Sequence, residues 1–374
     1  MDAGQAEQEV CVQAAVGIRQ MPGSLKQESF LVVNEDSNRL IFINKADKGV
    51  QEVCFTIDGV FSLDTGQDKL FLQQLQPLLA MVPLGYSVSL LVYETQHYGP
   101  QAEIQSFVQK VIESVLQDPS SPQSSAQCLQ TISFVQIYND GKAQDLLCPR
   151  SQALQVTDLP PLGLVVEEAT EIVVADSRAA THFYLQGISL YQSCFQQSFQ
   201  QKAICGNLLT ITVEVEVAGR GLRRAAVRVF VFSGGDEQPC TDPFLPLFWA
   251  LSALALPAEA GFLSWILKHL LEENALTFLL LCLTLPDISG KGIQSTLSLT
   301  ERVRAIAKRV APTYWDPIQE AQKRRAMIRE LRTQLFFSTR MEQDSLISRL
   351  GRVIKELQVL KCQSWGGEER DINI

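Results

Sequence analysis

Apolar and polar positions along this chain follow two periods. Runs at 10–18, 39–44, 53–57, 87–93, 131–138, 208–217, 225–232 and 276–285 are rich in β-branched residues or alternate, as strands do. SVSLLVY (87–93) is apolar at nearly every position, which predicts a central strand covered on both faces. LLTITVEVEV (208–217) alternates, which predicts one face toward water. Between the strands the period changes. At 101–117, Ile104, Phe107, Val108, Val111, Ile112, Val115 and Leu116 recur at 3–4 spacing, as on the buried face of a helix. Strands alternating with helices predict an α/β domain with a mostly parallel sheet and helices on both faces. A Ser/Pro/Gln stretch at 119–127 reads as a surface loop, and no internal repeat is present. Beyond Pro312 the pattern turns basic and helical, through 317–335 and again at 345–361.

Composition narrows the class. The 374 residues are 46% hydrophobic and 20% charged, enough chain for a deep core. The net charge of −9 is unevenly spread: residues 301–374 hold 15 Lys/Arg against 10 Asp/Glu (+5), leaving 17 against 31 (−14) for residues 1–300. An acidic body disfavours nucleic acid as its partner. Nine cysteines without a CxxC pair read as reduced, mostly buried thiols of a cytosolic or nuclear protein, and a cytoplasmic one is expected. The amino terminus lacks the basic and apolar regions of a signal peptide. The uncharged run 243–258 is too short to span a bilayer and contains Pro246 and Pro257, so it reads as a buried helix, and no membrane partner is expected. His97, His182 and His269 sit at no metal-ligand spacing.

Local strings add a family resemblance. FTIDGVFSLDTGQDKLF (55–71), GYSVSLLVY (85–93), SFVQIYND (133–140) followed by DLL (145–147), LSAL (251–254), the run from Leu263 to Pro286, TLS (296–298), and DP (316–317) with IRELR (328–332) come in the order of the corresponding kinesin motor-domain segments. The chain thus resembles a divergent kinesin. The resemblance implies a three-layer α/β motor fold over residues 10–312, after an amino-terminal tail (1–9). A neck-like helix, a short coiled coil and a tail follow at 313–374.

The resemblance also says where a nucleotide site belongs, and the residues there are wrong for it. A phosphate loop needs Gly-x-x-x-x-Gly-Lys-[Ser/Thr]: glycines so that backbone N–H groups close on phosphate, Lys for charge, a hydroxyl for Mg²⁺. The matching string is ETQHYGPQ (94–101). Gly99 remains, but Glu94 stands at the first glycine, Pro100 at the Lys and Gln101 at the hydroxyl. A charge-assisted hydrogen bond contributes roughly 1.5–3 kcal/mol. Losing three removes on the order of 5–9 kcal/mol, where micromolar affinity corresponds to about 8 kcal/mol. The adenine-contacting motif keeps only Arg19 of GIRQ (17–20), and switch I aligns with KAICG (202–206), which lacks its hydroxyls and Arg. Switch II aligns with FSGGDE (232–237): Gly235 and Glu237 remain, Phe232 replaces the Asp that reaches Mg²⁺ through water, and Ile204 stands where the Arg partner of Glu237 would be. Phe232 and Pro100 make good structural sense instead, as a core aromatic and a first-turn helix residue.

Where the family's track-facing helix is basic, AEAGFLSWIL (258–267) places Glu259, Phe262 and Trp265, the last two suited equally to a docking patch or to the core. The basic segment GRGLRR (219–224) reads as a solvated hairpin loop, and Lys323, Arg324 and Arg325 as a solvated helical face. Leu346, Leu350, Val353, Leu357 and Leu360 keep the 4-3-4-3 spacing of a coiled-coil seam over about two heptads, a pattern shared by a helix packed back on its own domain. The expectation is a kinesin-like, non-catalytic pseudo-motor, a cytoskeletal binding or scaffold module that has lost ATP and Mg²⁺. It would pair with a protein partner or itself through the carboxyl-terminal helices, with microtubule binding weakened. The alternative is a microtubule-binding kinesin-like protein, ATP-dependent or not.

Overall fold

The computed structural model describes residues 7–20, 31–34, 39–46, 49–63, 67–94, 102–116, 128–148, 153–197, 204–217, 221–233, 261–285, 290–337 and 340–362. Loop 119–127, the uncharged run 243–258 and LSAL (251–254) lie outside them.

A twelve-stranded sheet forms the middle layer. Ten strands make its main path: β1 (Gln13–Gln20), β2 (Gly59–Ser62), β3 (Ser87–Glu94), β4 (Cys128–Tyr138), β5 (Lys142–Asp145), β6 (Leu154–Leu159), β7 (Gly163–Val166), β8 (Ile204–Val217), β9 (Gly221–Ser233) and β10 (Ala275–Leu285). Their order is β7-β6-β5-β4-β8-β9-β3-β10-β1-β2. Pairing is parallel from β9 through β3, β10 and β1 to β2, and antiparallel across the other flank. Followed along the path, β1, β2, β3, β4, β6, β9 and β10 point one way and only β5, β7 and β8 the other.

Side-chain alternation divides the core between the two faces. Val88, Leu90 and Val92 of β3 face one cluster with the helical segment α1 (67–79), α2 (Ala102–Val115) and α3 (Ser177–Gln197). Leu91 and Tyr93 face another with α4 (Gly261–Glu272) and α5 (Gly290–Arg304). The predicted two-sided burial of 87–93 is therefore met, and the segment around 101–117 buries all seven of its periodic residues.

Other expectations are corrected. Strand β8 is buried on both faces as far as Glu214, because Leu162, Leu164 and Val165 of the β6–β7 hairpin roof its polar face and Arg224 donates to Glu214 at 2.6 Å. Arg223 and Arg224 are strand residues of β9, not a solvated loop. Arg224 is 7% exposed and lies over the Trp315 ring, and Arg223 lies over Tyr314. Of the described cysteine side chains only Cys282 is buried, while Cys11, Cys54 and Cys128 are exposed.

The carboxyl-terminal helices are α6 (Pro317–Phe337) and α7 (Arg340–Cys362). Asp316 caps α6, accepting a hydrogen bond from the Gln319 N–H with Pro317 at the first helical position. The heptad-like seam is filled within the chain: Leu346, Leu350, Val353 and Leu357 pack on Ile328 and Leu331 of α6, forming an antiparallel hairpin. At its base Val359 and Leu360 pack on Leu159, Leu162 and Trp315 of the domain. Arg324 is no solvated residue either; 8% exposed, it pairs with Glu320 at 2.7 Å and Glu356 at 3.1 Å and donates to the Pro160 carbonyl. Among the described residues no helix is long and apolar enough to cross a membrane.

Candidate functional site

The parallel strands end together at their carboxyl edge, where ligands bind in open α/β sheets. Register fixes the row there. Ser233 of β9 stands opposite Glu94 of β3, Glu94 opposite Cys282 of β10, and Cys282 opposite Gly17 of β1. One residue earlier, Phe232, Tyr93, Leu281 and Val16 form the row behind it.

Phe232 is 3% exposed, edge-on to Tyr93 at 5.3 Å and stacked on Phe230 at 5.4 Å. It is the core aromatic expected from the sequence, at the end of the apolar run VFVF (229–232). Glu94 is a carboxylate at 6% exposure. Its charge adds to burial in pushing up Tyr184 and Tyr191 of α3 and the Cys282 thiol. For all three, burial is the larger cause; a hydrogen bond with Asn207 pulls Tyr191 part-way back, and Arg19 opposes the rise at Cys282.

Arg19, at the end of β1, pairs with Glu103 at 2.7 Å. Glu103 sits in the first turn of α2, so the positive end of that helix already faces a carboxylate from its own chain. The space beneath the row, between α2, α3 and the sheet, is a cavity of about 10 Å³ lined by Ile104, Val108, Phe134, Tyr184 and Asn207, room for a single water at most. Gly99, Pro100, Gln101, Gly235 and Glu237 lie outside the described residues. The structure thus brings Glu94 and Phe232 to adjoining rows and adds Cys282, Glu103, Tyr184 and Tyr191. None of these four carried a motif signal, since only strand register and helix packing gather them.

Two further features flank the domain. Phe262 and Trp265 are neither core nor free patch; half-buried, they stack on each other at 4.9 Å, and Trp265 leans on His269 at 4.2 Å. Beside them a groove of about 340 Å³ runs between α4, β6 and α7, lined by Asp158, Trp265, His269, Arg352 and Lys355. It is far larger than the space beneath the strand ends, and the chain's own hairpin forms one wall. Among the described residues no group of three or more His, Cys, Asp or Glu is placed to hold a metal.

Parallel strand ends facing a helix amino terminus define an open α/β architecture, the class in which ligands bind at the carboxyl edge of the sheet. No protein-family model matches the chain. Over 166 residues it is 25% identical to a kinesin-like protein, KIN-1, of Oryza sativa subsp. japonica; the match takes in 41% of this chain and 34% of that protein, so the chain spans about a third of that relative's length. Its fold matches a KIF14 dimer in the two-heads-bound state with AMP-PNP, in complex with a microtubule, with a TM-score of 0.63 and 19% identity over 83% of this chain and 97% of that one. The fold is that of a kinesin motor domain, and part of the chain is similar in sequence to a kinesin-like protein.

Proposed function

We propose that this kinesin-like chain is a pseudo-motor that does not hydrolyse ATP and serves as a binding or scaffold module of the cytoskeleton. The observation that carries the reading is the buried Glu94 carboxylate at the end of the phosphate-loop strand. Two like charges about 5 Å apart repel by roughly 3 kcal/mol at an effective dielectric constant near 20, and a nucleotide brings several negative charges. Phe232 offers no ligand atom to Mg²⁺ or its waters, and Arg19 is committed to Glu103. These residues do not fit ATP and Mg²⁺.

The cytoskeletal half rests on the relatives, one of which is captured on a microtubule. Nucleotide-independent microtubule association is the second reading. It is favoured by Arg329, Arg332 and Arg349, which are exposed and have no ion-pair partner among the described residues. The test is calorimetric titration of the chain with Mg-ATP, followed by microtubule cosedimentation of the same sample with and without nucleotide. The expected outcome is no ATP binding at micromolar concentration and no nucleotide effect on cosedimentation. Micromolar binding, or phosphate release stimulated by microtubules, overturns the pseudo-motor.

A further inference from the structure

We propose that the tip of the α6–α7 hairpin inserts into the interface of an anionic phospholipid membrane, with Phe336 and Phe337 entering among the lipids and the arginines behind them meeting headgroup phosphates. Phe336 and Phe337 are the two most exposed large apolar side chains among the described residues, at 85% and 80%. Their rings touch each other edge-on, at 5.4 Å and 83°. Such exposure on a protruding tip is unusual for a soluble surface and marks a contact site.

The charges behind the tip match a membrane surface. Along the helix axis, at about 1.5 Å per residue, Arg332 lies roughly 7 Å and Arg329 roughly 12 Å behind Phe337. Arg349, on the returning helix, lies roughly 13 Å from the start of α7 by the same rise. An apolar face sinks about 5–10 Å into the headgroup boundary, so a ring of guanidiniums at this distance reaches phosphate depth, with long side chains free to snorkel. The three arginines have no ion-pair partner among the described residues, whereas Glu320 and Glu356 are taken up by Lys323 and Arg324. Acidic residues are present too: over 325–349 the sequence has five Arg against Glu330, Glu342 and Asp344, a net of +2.

Geometry argues for a lipid surface over a protein groove or a second hairpin. Adjacent helical residues point about 100° apart, so the Phe pair gives no i, i+3, i+4 stripe of the kind a groove receives. Tip-to-tip pairing with a second copy would bring unpaired arginines together. Residues 1–300, at −14, are repelled by an anionic surface. The hairpin extends 13 residues (324 to 337) past the Arg324–Pro160 contact. That is about 20 Å of helix, more than two Debye lengths at physiological salt. Such contact needs no spanning segment, so the shortness of the uncharged run 243–258, which motivates the expectation of no membrane partner, does not oppose it.

Vesicle flotation of the whole chain tests this, with equimolar phosphatidylserine and phosphatidylcholine against phosphatidylcholine alone. The chain should float with the anionic vesicles only, and the double variant F336S/F337S should partition roughly tenfold more weakly. R329Q/R332Q should weaken it as well. In Phe337→Trp, the emission added over the parent protein should shift to the blue with anionic vesicles and be quenched by brominated lipid. Far-UV circular dichroism and the melting transition should not change, since the altered rings touch little of the protein. The proposal is overturned if the chain does not float, or if F336S/F337S floats as the parent does. It is equally overturned if the parent is a dimer in sedimentation equilibrium that F336S/F337S turns into a monomer.

Discussion

Arg324 holds the hairpin to the domain, and removing its charge gives the sharpest test of how the carboxyl-terminal helices are organised. The guanidinium meets Glu320 on its own helix, Glu356 on α7 and the Pro160 carbonyl at the β6–β7 turn. The side chains of all three charged residues are 10–16% exposed. Arg324→Met keeps most of the volume and leaves two carboxylates facing one another with a single remaining cation, Lys323, whose side chain is 55% exposed. Breaking a buried pair from one side costs about 3–5 kcal/mol; Lys323 still serves Glu320, so the lower end applies, about 3 kcal/mol. The loss falls on docking of the hairpin, whose remaining hold includes Val359 and Leu360 against Leu159, Leu162 and Trp315, with Lys355 on Glu167 and Gln155. Hydrogen exchange should therefore rise by roughly two orders of magnitude in peptides from α6 and the second half of α7, and stay unchanged in β3. Adding Glu320→Gln should restore part of the protection, because one of the stranded charges is gone. Unchanged exchange in α6 and α7, equal loss in β3, or further loss on adding Glu320→Gln would refute the reasoning.

Two other expectations follow from single positions. A Cβ on Gly206 would lie 2.4 Å from the Val231 carbonyl, a backbone atom with no freedom to retreat, so Gly206→Ala should cost more than about 2 kcal/mol in a urea melt; a loss under half a kilocalorie contradicts this. Lys308 Nζ donates to the carbonyls of Leu271 and Glu273 and to Thr277, and burial pulls its pKa down to about 8 against the opposing charges of Glu273 and Glu272. A folded pKa below the unfolded value gives a contribution that is complete above pH ~10.4 and lost as pH falls through about 8. The stability difference between the parent and Lys308→Met should therefore tilt toward the parent by roughly 2–3 kcal/mol between pH 7.5 and 10.4, and parallel urea midpoints across that range would contradict it.

Much of the fold was legible because the strongest signals are periodic. The continuous apolar run of β3 and the 3–4 spacing of α2 each have one physical solution, and both elements lie where the pattern put them. Strands β5, β6 and β7 went unread because KAQD and LQVTDL carry no clear period; their partners in space, not their composition, make them strands. The same cause reversed the reading of β8. Thr212 and Glu214 look like a wet face until the β6–β7 hairpin covers them and Arg224 neutralises the carboxylate. The spacing of the α7 seam suits pairing with another chain and folding back equally, and sequence alone does not separate these. Ile328 and Leu331, a helix away, decide it.

The candidate site divides along the same line. The resemblance to the kinesin pattern sets Glu94 and Phe232 against a glycine and an Asp of that family, and it rests on the order of the segments alone. What each does there depends on register. Parallel pairing sets Glu94 between Ser233 and Cys282, and the next helix sets Tyr184 and Tyr191 against it, so the carboxylate acts on three protonated groups and raises them all. Arg19 is paired with Glu103 in the first turn of α2, so a cation and a carboxylate of the same chain meet at that helix amino terminus. The sheet and its crossovers need only apolar residues of the right size at the right period, and these have been kept. The charges at the strand ends face no such packing constraint, so their sign can reverse while the fold stands. That separation is why a motor architecture and the expected loss of its nucleotide are compatible in one chain.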